Sequence, residues 1–149
     1  MITLKDSVKI NRPPKVIFEW FNHFVENYKS WHQDHVTAKW VKGKNFEKGS
    51  ILYAEEYLGG KLEKLSFKTT GYVQNELIEY ELLFPEYIIC SGGSFTIKAY
   101  EGESVFTATL SFRFGWLFSK IGKSRLKAIK THMKEEGENL KRLLEKREN

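Results

Sequence analysis

The chain has 149 residues, 41% hydrophobic and 15% aromatic, which is enough for one domain with a core and an internal cavity. No run is long enough to cross a bilayer, and the first residues lack an apolar signal segment. We therefore expect a cytoplasmic protein that is a single domain over residues 1–149 and has no membrane partner. The only cysteine, Cys90, cannot form an internal disulfide and is expected to be a small buried hydrophobe.

The net charge of +5 raises the question of nucleic-acid binding, but the distribution of the charges argues against it. Ten of the 24 Lys and Arg residues fall in the last 30 positions, where glutamates are interleaved with them. That pattern is typical of a solvated helix face with charge pairs. Because the chain also has no aromatic RNA-binding strand, glycine-rich clamp or zinc finger, we expect no nucleic-acid partner.

The N-terminal part predicts one strand followed by short helices. Residues 7–11 alternate apolar and polar side chains, and the prolines at 13 and 14 end that strand. Residues 15–25 carry apolar side chains at helical spacing, which favours a short amphipathic helix that begins near Pro14. A loop or further helical turn then holds the sequence Tyr28-Lys29-Ser30-Trp31-His32-Gln33-Asp34-His35.

The middle of the chain predicts six strands, because six segments rich in β-branched and aromatic residues are separated by turn signals. They are residues 36–41, 50–58, 62–73, 77–84, 87–100 and 104–114. Short connections join antiparallel neighbours, so the segments predict a meander. Residues 124–146 then predict a long C-terminal helix with a single glycine, Gly137, and an apolar stripe.

The predicted fold is α+β, with a curved antiparallel sheet of about seven strands wrapped around the long C-terminal helix and two short helices after the first strand. One face of such a sheet has to be covered, and the last helix is the one predicted element long enough to cover it. A curved sheet that grips a helix leaves a cavity between the two. We therefore expect a small hydrophobic or aromatic molecule as the partner.

Two ionisable side chains share the apolar face of the last helix. His132 and Glu136 lie one turn apart in a stripe that advances by three and four residues, together with Ile129, Met133, Leu140 and Leu143. One interpretation is a polar pair at the edge of the stripe, with Glu136 paired to a neighbouring lysine. The alternative is a metal site, since a His and a Glu at i and i+4 can supply half of a four-ligand shell.

The other half of such a shell has to come from the sheet. Glu56 is preferred over Glu55, because Glu56 shares a strand face with the smaller side chains, which suit a cavity wall. His35 is preferred over His32, because His35 starts a strand and can lean inward while His32 caps or braces. Two histidines and two glutamates suit zinc or another divalent transition metal.

A family resemblance accompanies these patterns. Residues 8–18, the Tyr28-x-x-Trp31 pair and residues 132–140 resemble the START-like, or SRPBCC, helix-grip superfamily over essentially the whole chain. Members of that superfamily include lipid carriers, hormone receptors, polyketide cyclases and a few metal-dependent hydrolases.

The histidine segment, the strand end after Glu56 and the His132-x-x-x-Glu136 pair are similar to the diacetylphloroglucinol and phloretin hydrolase branch. That resemblance implies a zinc ion held by His35, Glu56, His132 and Glu136, and cleavage of a carbon–carbon bond beside an aryl ketone. It also implies that Tyr28 polarises the ketone. A hydrolase with this metal site would further need a proton donor, for which Tyr28 and His32 are the catalytic candidates.

Other functions compete with the hydrolase. The main alternative is a non-catalytic carrier or sensor of a hydrophobic ligand, in which the histidines are ordinary polar residues. Convergence of the four predicted ligands on one point would favour the metal site. A weaker alternative places residues 114–118 on a membrane surface. Separately, the chain can be expected to form a homodimer as one of its possible assemblies.

Overall fold

The computed structural model describes residues 2–86, 90–113 and 120–146, and these residues form seven strands and three helices. In chain order they are β1 (Ile2–Ile10), α1 (Pro14–Asn22), α2 (Phe24–Trp31), β2 (His35–Lys42), β3 (Ile51–Leu58), β4 (Lys61–Val73), β5 (Leu77–Leu82), β6 (Cys90–Tyr100), β7 (Glu103–Phe112) and α3 (Lys120–Glu145). Residues 87–89 and 114–118, which the sequence analysis assigned to strands or to a membrane contact, lie outside the described part.

All seven strands belong to one antiparallel sheet, in the order β1-β7-β6-β5-β4-β3-β2. Strands β2 to β7 form the predicted meander. β1 is the edge strand next to β7 and pairs with it along its whole length. β1 therefore begins at Ile2 rather than at the predicted residue 7. The reason is tertiary, since pairing with β7 extends a segment whose own strand signal is weak.

The sheet is curved by irregularities in its pairing. The register shifts once between β4 and β5, once between β6 and β7, and twice between β2 and β3. Each extra residue bends the strand and increases its local twist. A two-residue turn at Gly59-Gly60, with φ of 61° and 82°, joins β3 to β4, because that tight turn needs positive φ at both positions.

Two short helices close one end of the curved sheet. Pro14 stands at the start of α1, where its missing N–H costs nothing. His23, with φ of −114° and ψ of 36°, interrupts the helical path and separates α1 from α2. The aromatic side chains of both helices pack into a cluster of buried rings that consists of Trp20, Phe21, Phe24 and Trp31, with Phe46 and Phe106 from outside the helices.

The long helix α3 lies across the concave face of the sheet and begins at Lys120, four residues before the predicted start. Gly137 allows it to approach β1 closely, because a Cβ atom at this position would lie 3.0 Å from Asp6 Oδ2. Leu140 and Leu144 are fully buried on the same face, and together they anchor the C-terminal half of the helix. The predicted helix-grip fold is confirmed.

Candidate functional site

A cavity of about 380 Å³ lies between the inner face of the sheet and α3. Its wall is mainly apolar, and its aromatic members are Phe24, Tyr28, Trp31, Phe46, Phe67, Tyr80, Phe95 and Phe112. Glu56, His132 and Glu136 bring charge into the same wall. The volume is at the low end of the range found for small-molecule sites.

Four side chains meet at this wall: Glu56 on β3 and His132 and Glu136 on α3, which line the cavity, and His35 at the start of β2, which is buried behind them. His35 Nε2 lies 2.9 Å from Glu136 Oε2 and 3.2 Å from both Glu56 Oε2 and His132 Nε2. His132 Nε2 lies 3.2 Å from Glu136 Oε2 and 3.4 Å from Glu56 Oε2. We call these four residues the four-donor cluster, and one donor atom from each lies within 4.8 Å of all the others.

The register of the sheet explains which of the alternative residues join the cluster. His35 and Glu56 are direct partners in the β2–β3 ladder, so both point toward α3 from adjacent strands. Glu55 lies on the opposite face of β3, where its carboxylate accepts a 2.7 Å hydrogen bond from the Tyr53 hydroxyl. The structure thus brings His35 and Glu56 to the cluster and keeps Glu55 away from it.

A second layer of contacts orients the cluster. His35 Nδ1 lies 2.8 Å from the Tyr28 backbone oxygen, which makes this nitrogen the N–H donor and leaves Nε2 facing the cluster. The Tyr28 hydroxyl donates to Glu56 Oε2 at 3.0 Å, and its ring stacks on His35 at 4.0 Å. The Trp31 indole N–H donates to the Glu136 backbone oxygen at 2.9 Å. Tyr28 therefore contacts two of the four donors.

His32 is buried but does not line the cavity. Its Nδ1 accepts a 2.9 Å hydrogen bond from the Asp34 backbone N–H, and its Nε2 lies 3.0 Å from Glu135 Oε1. The ring also lies against that of His132, with 4.2 Å between centroids. In this position His32 connects the end of α2 to α3 and supports His132 from outside the cluster.

The charges of the cluster are mutually dependent. Burial acts to lower the pKa of both histidines, but Glu136 and Glu56 outweigh it and raise the pKa of His35 to about 9 and that of His132 to about 11. Burial likewise acts to raise the pKa of Glu56 and Glu136, yet hydrogen bonds and charge from the histidines hold both pKa values below the ordinary range. In the absence of a metal ion, the imidazoles and the carboxylates therefore stabilise one another's charged forms.

The donor set fits a divalent metal ion. Imidazole nitrogens and carboxylate oxygens are ligands that zinc takes, at roughly 2.0–2.2 Å. Donors at that distance from a shared ion in a tetrahedral site lie about 3.3 Å from one another, which matches the five spacings of 2.9–3.4 Å given above. The hydrogen bond from His35 Nδ1 to a backbone oxygen is also the support that metal-bound histidines usually have.

Comparison of the sequence with protein families matches residues 1–145 to the model described as "Polyketide cyclase / dehydrase and lipid transport". The chain belongs to this family. The match and the fold together place it in the START-like superfamily, as its motifs indicated, while the hydrolase branch remains a proposal. A search of curated proteins finds no significant match to this sequence.

Several solved structures have the same fold. One is the aromatase/cyclase Zhui from Streptomyces sp. R1128, which matches with a TM-score of 0.75 at 11% identity. The match covers 98% of this chain and 94% of that one. A protein from Thermus thermophilus has a TM-score of 0.76 at 11% identity over 96% of this chain and 97% of that one. The Aha1 dimer from Colwellia psychrerythraea has a TM-score of 0.70 at 18% identity, with 98% of both chains covered. At these identities the similarity extends to the fold alone.

Within the described residues, no helix combines the length and the apolar character needed to cross a membrane. The cytoplasmic location and the homodimer stay predictions.

Several polar residues of the cavity wall were not predicted from the sequence: Lys61, Glu63, Tyr80, Glu86, Thr109 and Arg125. Arg125 on α3 pairs with Glu63 on β4, which lies directly opposite Glu56 in the β3–β4 ladder. Tyr80 on β5 also lines the cavity, and burial, with Cys90, Glu136 and Glu56 adding to it, raises its pKa well above the ordinary value. Tyr80 lies two residues from both Ile78 and Leu82 on β5, so the three side chains share one face of the sheet. This alternation could have identified Tyr80 as an inward-facing residue.

Cys90 is buried at the start of β6, as expected, and it also lines the cavity. Burial raises the pKa of its thiol to about 11, against the smaller opposing effect of hydrogen bonds to the backbone at Gly92 and Ser111. At pH 8 the thiolate is therefore a small fraction of the native population.

We expect iodoacetamide to alkylate Cys90 about 100-fold more slowly in the native protein at pH 8 than in the protein unfolded in guanidinium chloride. The thiolate is the reacting form, and a free cysteine with a pKa near 8.5 has far more of it at this pH. Because the chain has one cysteine, mass spectrometry of the intact protein measures the rate directly. Equal rates in the two states would contradict the buried position.

Proposed function

We propose that this chain binds a small hydrophobic molecule with an aromatic part in the cavity between the sheet and α3. The observation that carries the proposal is the cavity of about 380 Å³, whose mainly apolar and aromatic wall includes part of the four-donor cluster. The family description, which names polyketide cyclases and lipid transport, supports a ligand of this type. The aromatase/cyclase with the same fold supports an aromatic one.

The wall favours a ligand with one or two rings and a polar end. Phe67, Phe95 and Trp31 present aromatic surface to the cavity, which suits edge or offset contacts with a ligand ring. The four-donor cluster brings imidazole and carboxylate groups to that wall, and an oxygen of the ligand beside it would have polar partners. Such a ligand would leave few buried polar groups without a partner.

We further propose that the four-donor cluster holds a divalent metal ion, for which zinc has the matching ligand preferences. Without a metal, protons on both histidines would put two Nε2–H donors 3.2 Å apart, facing each other. One dication among the four donors would balance the two carboxylates without that repulsion. The Tyr28 backbone oxygen holds a proton on His35 Nδ1, so a metal ion that displaces the proton of Nε2 would meet the tautomer that metal-bound histidines usually have.

A second candidate function is hydrolysis of a carbon–carbon bond beside an aryl ketone. It is favoured by the position of Glu56, His132 and Glu136 in the same wall as the ligand space. Zinc, when bound, would supply Lewis acidity toward the ketone oxygen. The Tyr28 hydroxyl would turn from Glu56 to donate a hydrogen bond to that oxygen and would be the proton donor, while His32, which lies outside the cavity with both ring nitrogens engaged, would support His132. Water supplies the hydroxyl group of the carboxylic acid and the proton on the aryl carbon.

We expect 6-hydroxy-2-acetylnaphthalene to bind the wild-type chain, and we expect Ala108→Phe to weaken binding at least tenfold. Ala108 is buried in the cavity wall on β7, so a phenyl group there occupies ligand space. The matched control is Ala99→Phe, on the exposed end of β6. Ligand fluorescence measures affinity, and chromatography of the same mixture detects 2-naphthol and acetic acid, the products of hydrolysis.

Each readout tests one candidate. Saturable binding that Ala108→Phe weakens and Ala99→Phe leaves unchanged supports ligand binding in the cavity. Binding without products would exclude hydrolysis of this ketone and leave a carrier or sensor. Equal weakening by both phenylalanine variants, or no saturable binding to the wild type, would refute the cavity as the ligand site.

A further inference from the structure

Tyr80 holds a hydroxyl group at a fixed place in the cavity wall. Its ring makes an edge contact with Phe67, with centroids 5.3 Å apart and planes at 90°, and a tilted contact with Phe95 at 5.6 Å. Both neighbours line the cavity as well. The ring is therefore held from two sides, on a strand in the middle of the sheet.

The neighbouring strand leaves space for the Tyr80 hydroxyl. Gly93 on β6 is the ladder partner of Tyr80, and a Cβ atom at Gly93 would lie 2.8 Å from Tyr80 Oη and 2.1 Å from the Thr109 backbone oxygen. A larger residue at 93 would displace the hydroxyl. The glycine thus allows the phenol to lie close over the backbone of β6.

The hydroxyl has no hydrogen-bond partner in the part of the chain that the structure describes. Three other donors of the wall are engaged: Tyr28 donates to Glu56, the Trp31 indole donates to the Glu136 backbone oxygen, and the Thr109 hydroxyl lies 2.6 Å from that of Ser94. No fully enclosed side-chain atom in the described residues lacks a partner. The Tyr80 hydroxyl consequently faces the cavity space, where it can donate a hydrogen bond to a ligand oxygen.

We propose that Tyr80 is a specificity-determining residue that selects aromatic ligands with two oxygen substituents, one beside the four-donor cluster and one that accepts a hydrogen bond from Tyr80 Oη. This inference rests on the proposed function, since it assigns the second polar contact of the same cavity. The substrate or ligand class it names is a hydroxylated aryl ketone or a comparable oxygenated aromatic molecule. An apolar lipid tail would leave this hydroxyl without a partner and bind less well.

The test compares two ligands that differ by one hydroxyl group, 2-acetylnaphthalene and 6-hydroxy-2-acetylnaphthalene, with the zinc-supplemented full chain. We expect Tyr80→Phe to weaken binding of the hydroxylated ketone about tenfold and to change binding of the plain ketone less than about twofold, since the variant removes one hydrogen bond and keeps the ring. The matched control is Tyr72→Phe, which removes a hydroxyl from a side chain that is 39% exposed on β4. Its affinities for both ketones should equal those of the wild type.

The outcomes separate this inference from the proposed function. Equal changes in both affinities, or no change in either, would overturn the role of Tyr80 while the cavity remains a ligand site. If the wild type binds neither ketone, the proposed function fails, and the assignment of Tyr80 fails with it. Circular dichroism of both variants checks that the fold is kept.

Discussion

The wild-type chain is expected to retain about one zinc ion after exposure to zinc and desalting, and His132→Ala is expected to retain almost none. His132 supplies one of the four donors and lies 3.2–3.4 Å from three others. Its loss leaves Glu56 and Glu136 facing each other with one histidine between them. Elemental analysis by mass spectrometry of the desalted proteins measures the metal content.

The control for this experiment is His23→Ala. His23 is exposed beside Glu19 and Glu26, with ion-pair distances of 3.3 Å and 3.9 Å, so it reports any adventitious zinc held at the surface. Glu56→Gln removes a carboxylate with almost no change in shape, and it should lower zinc affinity even if His132→Ala folds poorly. Zinc that stays bound in both cluster variants, or that is absent from the wild type, would contradict the metal centre.

Trp20→Ala is expected to lower the free energy of unfolding by about 3–5 kcal/mol, because truncation of a buried aromatic side chain removes its burial and leaves a void. Trp20 is 2% exposed, and its ring centroid lies 5.1–6.4 Å from those of Phe21, Phe24 and Trp31. Urea-induced unfolding, followed by circular dichroism, measures the change.

The comparison variant is Val41→Ala near the end of β2, whose side chain is 61% exposed. We expect it to change the unfolding free energy by less than about 0.5 kcal/mol, as surface substitutions usually do. A loss of under about 1 kcal/mol in Trp20→Ala would show that the aromatic cluster does not stabilise the end of the sheet.

Trp31 and Phe24 also line the cavity, so ligand binding measured on Trp20→Ala reports whether the cluster maintains the cavity.

Much of the fold followed from local patterns in the sequence. Strand-forming composition and turn signals predicted the order of the elements, and the helical period of the side chains predicted the buried face of α3. The same helical spacing placed His132 and Glu136 side by side. Alternation along β3 put Glu56 on the same face as Leu52 and Ala54, which are 3% and 1% exposed in the structure.

The tertiary structure decided what depends on residues far apart in the chain. His35 and His132 are 97 positions apart, and their 3.2 Å contact depends on the β2–β3 register, the bulge between His35 and Thr37, and the path of α3 across the sheet. The choice between His32 and His35, the ion pair of Arg125 with Glu63, and the ladder pairing of Tyr80 with Gly93 follow from the same long-range geometry. Side-chain period is a local property, whereas register and bulges are set by the packing of the whole sheet.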